Sequence, residues 1–271
     1  MKFRYTPSPR AAFTLVELLT VIAIVGILAA ILIPTAAAVR AHGSKTVELS
    51  AARQLMAAYH LYAAENRGRL LPLQEAGATG TLNERGQTVS GITGIRWPHR
   101  LRPFLGDRFR DTLYVNTQAD YYNETAAADD YTLSVGTTFG LNGPFVGGDA
   151  SSLVKDVPVR SLVQASDPSR LIAFASAHSR TLNEKSGYWR ISSPLTASTA
   201  PDWPAADLDG LPAALSQDMS YGWLAYRHNG RAVVAYLDSH VGLHTCAELR
   251  DMRLWSDAAR RANDPSYRPP L

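Results

Sequence analysis

The sequence predicts a mixed α+β protein, in which a long N-terminal helix packs by its second half on an antiparallel β-sheet. Three observations predict this fold class. An apolar run covers residues 13–33 and contains a single charged residue, Glu17. A stripe of apolar residues at helical spacing follows between residues 52 and 63. Short segments rich in β-branched and aromatic residues, bounded by turn residues, occupy the C-terminal half.

The apolar run is long enough to cross a membrane. As a helix, its 21 residues span roughly 30 Å, the thickness of a bilayer's hydrocarbon core. An ionised side chain in lipid costs at least ~2.5 kcal/mol, so Glu17 needs a partner. If the chain is cut between Ala12 and Phe13, the new α-amino group lies four residues before Glu17, and the amine of a neighbouring subunit can neutralise the carboxylate.

The segment AFTLVELLTVIAIVGILAAILIP, residues 12–34, resembles the N-terminal class III signal of type IV pilins and type II secretion pseudopilins. The resemblance implies that a prepilin peptidase cuts before Phe13 and methylates its amine, and that Glu17 guides assembly. Pro34 stands where the family also has a proline, and we expect it to kink the helix without ending it. The family usually has glycine before the cut, whereas this chain has Ala12, another small residue.

The charges before the apolar run predict its orientation. Residues 1–12 hold Lys2, Arg4 and Arg10 and no acidic residue. The positive-inside rule then keeps the N-terminus in the cytoplasm and places the rest of the chain outside the inner membrane, in the periplasm. A conventional secretory signal peptide is the alternative, but its apolar region has about 7–15 residues and its cut follows that region.

This reading divides the chain into five parts. They are a leader peptide (1–12), a transmembrane and assembly helix (13–34), its amphipathic continuation (35–66), a periplasmic globular domain (67–262) and a flexible tail (263–271).

Composition argues against a nucleic-acid partner and against a disulfide framework. The chain has 27 basic residues, and removing the three in the leader leaves 24, equal to the 24 acidic residues. The mature chain therefore carries no dense basic patch of the kind that nucleic-acid binding needs. Cys246 is the single cysteine, so an internal disulfide cannot form.

The pattern of the chain predicts each element in order. One helix runs from Phe13 to about Glu65, and its stripe of Ala, Leu, Met and Tyr is typical of a core face, with Glu48, Arg53 and Glu65 off the stripe. A glycine-rich loop or weak hairpin follows at 74–95, and Trp97 is a packing anchor. The further predictions are strands at 131–135, 170–175 and 232–237, a hairpin partner at 240–244, and a helix at 247–262.

The segment HNGRAVVAYLDS, from His228 to Ser239, resembles the H-x9-D-G motif of processing-associated, prepilin-type proteins. The spacing from His228 to Asp238 matches, and Ser239 replaces the glycine. The resemblance assigns no role to these residues. On a fully extended strand His228 and Asp238 would lie about 33 Å apart, too far for one metal.

Asp238 and His240 share a strand face and are the candidate metal ligands. Their imidazole favours a transition metal, because Ca²⁺ would need more oxygen ligands than this segment offers. A structural role in turns and packing, or a partner contact, are the alternatives, and base rates for isolated His and Asp favour the structural role. No cofactor is otherwise expected.

The sequence holds no catalytic motif of the G-x-S-x-G, H-E-x-x-H, C-x-x-C or P-loop type, so we do not expect an enzyme. The resemblance implies a structural subunit of a type II secretion pseudopilus or type IV pilus-like filament. Its implied partners are a prepilin peptidase, other pilin subunits, a secretion assembly platform and the membrane. The alternative is a membrane-anchored module that binds glycan or protein without polymerising, through the 74–95 loop and Trp189, Trp203 and Trp223.

Overall fold

A computed structural model describes residues 15–83, 85–125, 129–149, 154–179, 185–194 and 221–270. The chain divides into two compact units, Met1–Ser44 and Lys45–Leu271. The helices are α1 (Leu15–Glu65), α2 (Gly91–Gly94), α3 (Trp97–Leu105), α4 (Phe109–Leu113), α5 (Thr117–Thr125), α6 (Asp130–Val135) and α7 (Asp257–Ala262). The strands are β1 (Phe139–Leu141), β2 (Ile172–Ser176), β3 (Arg231–Tyr236) and β4 (Val241–Thr245).

The first half of α1 is apolar on all sides. Its large side chains from Leu15 to Ile33 are exposed, and its mean hydropathy reaches 2.8 over an 18-residue window. Among the residues that the structure describes, α1 is the one helix long and apolar enough to cross a membrane. Pro34 lies inside α1 and does not end it.

The second half of α1 packs on the sheet, as the sequence predicts. The predicted stripe is buried throughout; its members are Ala52, Leu55, Met56, Tyr59, Tyr62 and Ala63. The Tyr59 ring meets the Phe174 ring of β2 edge-on, with 5.2 Å between centroids. The Tyr59 hydroxyl donates to the carbonyl oxygen of Leu71 at 2.9 Å, so this tyrosine is buried without an unsatisfied polar atom.

Helix α1 ends where the sequence predicts. Arg67 and Gly68 both have positive φ, at 57° and 78°, which a continuing right-handed helix cannot accommodate. The Gly68 amide donates back to the carbonyl oxygen of Ala63 at 2.7 Å, and the Asn66 side chain donates to that of Tyr62 at 2.8 Å. These bonds satisfy carbonyl groups that the helix end would otherwise leave without donors.

The four strands form one antiparallel sheet in the order β1-β2-β3-β4. Both faces of the sheet are covered. Val233 and Ala235 of β3 belong to the core that includes α1, whereas Ala232 and Val234 belong to a second core with Trp255. This two-sided burial explains why β3 reads as a continuous apolar run and not as an alternating one.

The predictions at 170–175, 232–237 and 240–244 are confirmed as β2, β3 and β4, with bounds that differ by one or two residues. Two isolated antiparallel β-bridges, Gln74↔Arg96 and Leu82↔Thr88, confirm a weak hairpin in the 74–95 loop. Trp97 is fully buried, and its indole N–H donates to the carbonyl oxygen of Trp189 at 2.6 Å, which confirms it as a packing anchor.

The predicted strand at 131–135 is wrong, because these residues form α6. The side chain of Asp129 accepts a hydrogen bond from the Tyr131 amide at 2.9 Å and another from the Thr132 hydroxyl at 3.2 Å. An aspartate in this position is a strong helix N-cap, and the cap outweighs the β propensity of the Tyr and Thr side chains that follow.

The predicted helix at 247–262 is broken into three pieces. Two 3₁₀ turns, Glu248–Arg250 and Met252–Leu254, precede α7. Asp251 caps the second turn by accepting from the Arg253 amide at 2.9 Å, and Ser256 caps α7 by accepting from the Ala259 amide at 3.2 Å. Asp251 and Ser256 themselves have extended backbone, so each ends one helical piece and begins the next. The helical spacing of the apolar residues therefore does not correspond to one continuous helix.

The C-terminal residues contact the rest of the body. The carbonyl oxygen of Pro265 accepts from the Met252 amide at 3.0 Å, and that of Pro270 accepts from the Lys155 amide at 2.8 Å. Two backbone hydrogen bonds therefore hold the segment after α7 against the rest of the second unit.

Candidate functional site

The predicted processing residues Ala12 and Phe13 lie outside the described residues. Glu17 lies in the first turn of α1 and is exposed there. An acidic residue in this turn complements the partial positive charge of the helix N-terminus. The hydroxyl of Thr20 donates to the carbonyl oxygen of Glu17 at 2.9 Å, so this hydroxyl is satisfied within the helix.

A buried polar site in the second unit is centred on Glu48 of α1, whose side chain is fully buried. Four donors surround its carboxylate. Oε1 accepts from the Arg227 guanidinium at 3.0 Å and from the Ser176 hydroxyl, and Oε2 accepts from Nε2 of His228 at 3.0 Å and from the Asn116 amide at 3.4 Å. We call these five residues the Glu48 cluster.

Three separate segments of the body supply the donors. Ser176 is the last residue of β2, and its hydroxyl also accepts from the Val233 amide of β3 at 3.0 Å. Asn116 lies between α4 and α5, and Arg227 and His228 precede β3. The carboxylate therefore joins α1 to the sheet and to the helical part of the body.

A tight turn holds His228 in place. The His228 amide donates to the carbonyl oxygen of Arg231 at 3.1 Å, and the Arg231 amide donates back to that of His228 at 3.2 Å. Between them Asn229 and Gly230 have φ of 53° and 75°, the backbone that Asn-Gly pairs favour in two-residue hairpin turns. The sequence HNGR thus directs the imidazole toward α1 by local turn chemistry.

The donors keep Glu48 ionised despite its burial. Burial alone would raise the pKa of the Glu48 carboxyl, but the charge of Arg227, the bond and charge of His228 and the bond from Ser176 stabilise the ionised form. Together they lower its pKa from 4.5 to about 2. A carboxylate so stabilised stays ionised near neutral pH, so Glu48 acts as the buried counter-ion of Arg227.

The residues of the H-x9-D segment do not form one site. His228 precedes β3 and bonds to Glu48, whereas Asp238 follows β3 and pairs with His240. Asp238 Oδ1 lies 2.6 Å from Nδ1 of His240 and accepts from the His240 amide at 3.0 Å. The His240 ring also stacks on the Tyr236 ring at 4.1 Å. These contacts orient both side chains within the turn.

Asp238 and His240 lie in the turn between β3 and β4, not on a common strand face as predicted. Throughout the described ranges, no group of three or more His, Cys, Asp and Glu side chains is placed to hold a metal ion. Asp238 and His240 thus provide a pair of potential ligands and no third one from that part of the chain.

The prediction that Glu48 lies off the buried stripe of α1 is wrong, because its side chain is fully buried. Glu48 precedes Ala52 by four residues and Leu55 by seven, so it continues the stripe by one turn. That spacing was the available signal. The donors Asn116, Ser176 and Arg227 had no comparable signal, because long-range folding brings them to the carboxylate.

The fold defines a mixed α+β protein whose N-terminal helix is long and apolar enough to cross a membrane once. Residues 7–33 match the prokaryotic N-terminal methylation motif, which supports a type IV pilin-like or pseudopilin protein. No curated protein and no solved structure matches the chain.

The first prediction concerns acid stability. The carboxyl of unfolded Glu48 titrates near 4.5 and that of the folded protein near 2, so its contribution to the free energy of unfolding is complete above pH ~5 and is lost as the pH falls toward 2. The contribution is on the order of 3 kcal/mol. We expect the stability difference between wild type and Glu48→Gln to shrink by about 2 kcal/mol between pH 6 and pH 3 in urea unfolding.

Glu65→Gln is the matched control, since Glu65 is an exposed carboxylate at the other end of the packed part of α1. Its difference from wild type should stay within about 0.5 kcal/mol over this pH range. A pH-independent difference for Glu48→Gln would contradict the account of an ionised buried carboxylate.

The second prediction concerns Ser239, which stands where the motif has glycine. Its φ is +79°, in the left-handed region that costs a residue with a Cβ roughly 1 kcal/mol. We expect Ser239→Gly to raise the free energy of unfolding by about 0.5–1 kcal/mol, and Ser239→Ala, which keeps the Cβ, to give no gain. Chemical unfolding of the three proteins checks this, and a glycine variant no more stable than the alanine variant would refute it.

Proposed function

We propose that the chain is a structural subunit of a pilus-like filament, either a type II secretion pseudopilus or a type IV pilus-like fibre. The observation that carries the proposal is the methylation motif at residues 7–33, which overlaps the exposed apolar half of α1. A helix surface of this kind is stable only in lipid or against other apolar helices. A filament core of bundled helices supplies the second environment.

The proposed pathway begins with processing. A prepilin peptidase removes residues 1–12 and methylates the amine of Phe13. The three basic residues of the leader hold the N-terminus in the cytoplasm, and the chain after Pro34, with its globular domain at 67–262, lies in the periplasm. An assembly platform then transfers the subunit from the inner membrane into the filament, where Pro34 kinks the helix.

Glu17 is the proposed assembly residue. In the filament its carboxylate meets the methylated amine of Phe13 in the neighbouring subunit. This pairing replaces the cost of an isolated charge in an apolar medium by an ordering contact. The proposed role is structural and needs no catalytic group.

The alternative of a binding module that does not polymerise gains no support from the described tryptophans. Trp189 is buried, and its carbonyl oxygen accepts from Trp97. Trp223 is half-buried and packs against the Tyr188 ring at 4.9 Å and the Arg190 guanidinium at 5.5 Å. Trp203 lies outside the described residues.

The third prediction tests assembly directly. Glu17→Ala should leave the protein in the membrane fraction, because the apolar run is unchanged, and should abolish its incorporation into crosslinked multimers in native membranes. Thr20→Ala is the control, since Thr20 lies on the same helix, one turn further on, and bonds only within the helix. It should give the wild-type crosslinking ladder.

Normal incorporation of Glu17→Ala would overturn the proposed role of Glu17. Monomers alone in the wild-type sample would overturn the filament itself and favour the binding module.

A further inference from the structure

We propose that the Glu48 cluster sets the point at which α1 leaves the body. Residues 45–50 are held to the body mainly by the polar contacts of Glu48, because the fully buried core residues of α1 begin only at Ala51. The inference concerns the second unit alone and does not depend on filament assembly.

Burial along α1 supports this assignment. The core residues of the helix begin at Ala51. In the preceding six residues Glu48 is the one buried side chain, Leu49 is half-buried and Val47 is 48% exposed. Leu49 is therefore the one apolar side chain of this turn and a half of helix that packs against the core, and only partly, whereas four hydrogen bonds converge on Glu48.

The cluster favours an all-or-none contact. Its four donors come from three segments of the body, and each oxygen of the carboxylate accepts two of the four hydrogen bonds. Removing one partner from a buried ion pair leaves an uncompensated charge, which is strongly unfavourable. When the cluster opens, support for α1 therefore retreats from Lys45 to Ala51, a length of about 9 Å of helix.

A role in fixing the register of α1 on the sheet is excluded by the size of the competing effect. A slip of one turn would put Ala51 where Leu55 packs and Leu55 where Tyr59 packs. Alanine in the place of the buried leucine alone costs about 2–5 kcal/mol. The apolar stripe thus fixes the register by itself, and the effect of the cluster is local to its own turn.

Hydrogen exchange measured by mass spectrometry on the full chain in detergent micelles tests the proposal. In Glu48→Gln the amides of residues 45–50 should exchange about tenfold faster than in wild type, or more, because a helix without tertiary support opens readily. Peptides covering residues 55–63 should exchange at the wild-type rate. Glu65→Gln, an exposed change on the same helix, should alter neither region.

His228→Ala removes one donor from the buried carboxylate, and because the contact is all-or-none, the amides of residues 45–50 should exchange about as fast as in Glu48→Gln. Unchanged exchange at 45–50 in both variants would overturn the proposal. An equal rise at 45–50 and at 55–63, or loss of protection throughout the body, would also overturn it, because the cluster would then support the whole fold and not the exit point of α1.

Discussion

An ionised carboxylate can remain buried only while donors surround it, and Glu48 meets this condition with groups from three distant segments. The constraint acts in both directions. Glu48 cannot stay buried without the turn that presents Arg227 and His228, and the largely buried guanidinium of Arg227 needs the carboxylate as its counter-ion. The end of β2 takes part through Ser176, whose hydroxyl also accepts a ladder amide of β3. One side chain of α1 thereby coordinates the helix, two strands and a hairpin turn.

The two halves of α1 obey different physical rules. From Ala51 to Ala63 the helix presents one apolar face to the sheet, and aromatic pairs such as Tyr59 with Phe174 fill the interface. From Leu15 to Ile33 the helix has no polar face at all, so its environment must be supplied from outside the chain. The methylation motif overlaps this half, in keeping with the role in assembly that we propose for the exposed apolar surface.

The sequence was sufficient where one local pattern decided the outcome. The apolar stripe predicted the packed face of α1 and its end near Glu65, and β-branched segments bounded by turn residues predicted β2, β3 and β4. The sequence-based prediction failed where a helix cap decided the local structure. Asp129 begins α6 against the β propensity of the residues that follow, and Ser256 begins α7 as a separate helix. The prediction also failed where the contact is long-range, because nothing near Asn116 or Ser176 in the chain indicates a shared partner in Glu48. His228 was singled out by its motif, but only the folded chain shows that it serves Glu48 and not Asp238.

The most direct test of the account is the mass of the mature N-terminus in protein purified from native membranes. The account predicts a chain that begins with N-methylated Phe13, since assembly through Glu17 requires that amine. A chain that begins at Met1 would contradict it, because a retained leader keeps the nitrogen of Phe13 in a peptide bond, where it cannot pair with Glu17. The helix would then be a permanent anchor. A chain that begins beyond Pro34 would contradict it as well, since the apolar half of α1 would have been removed as a secretory signal.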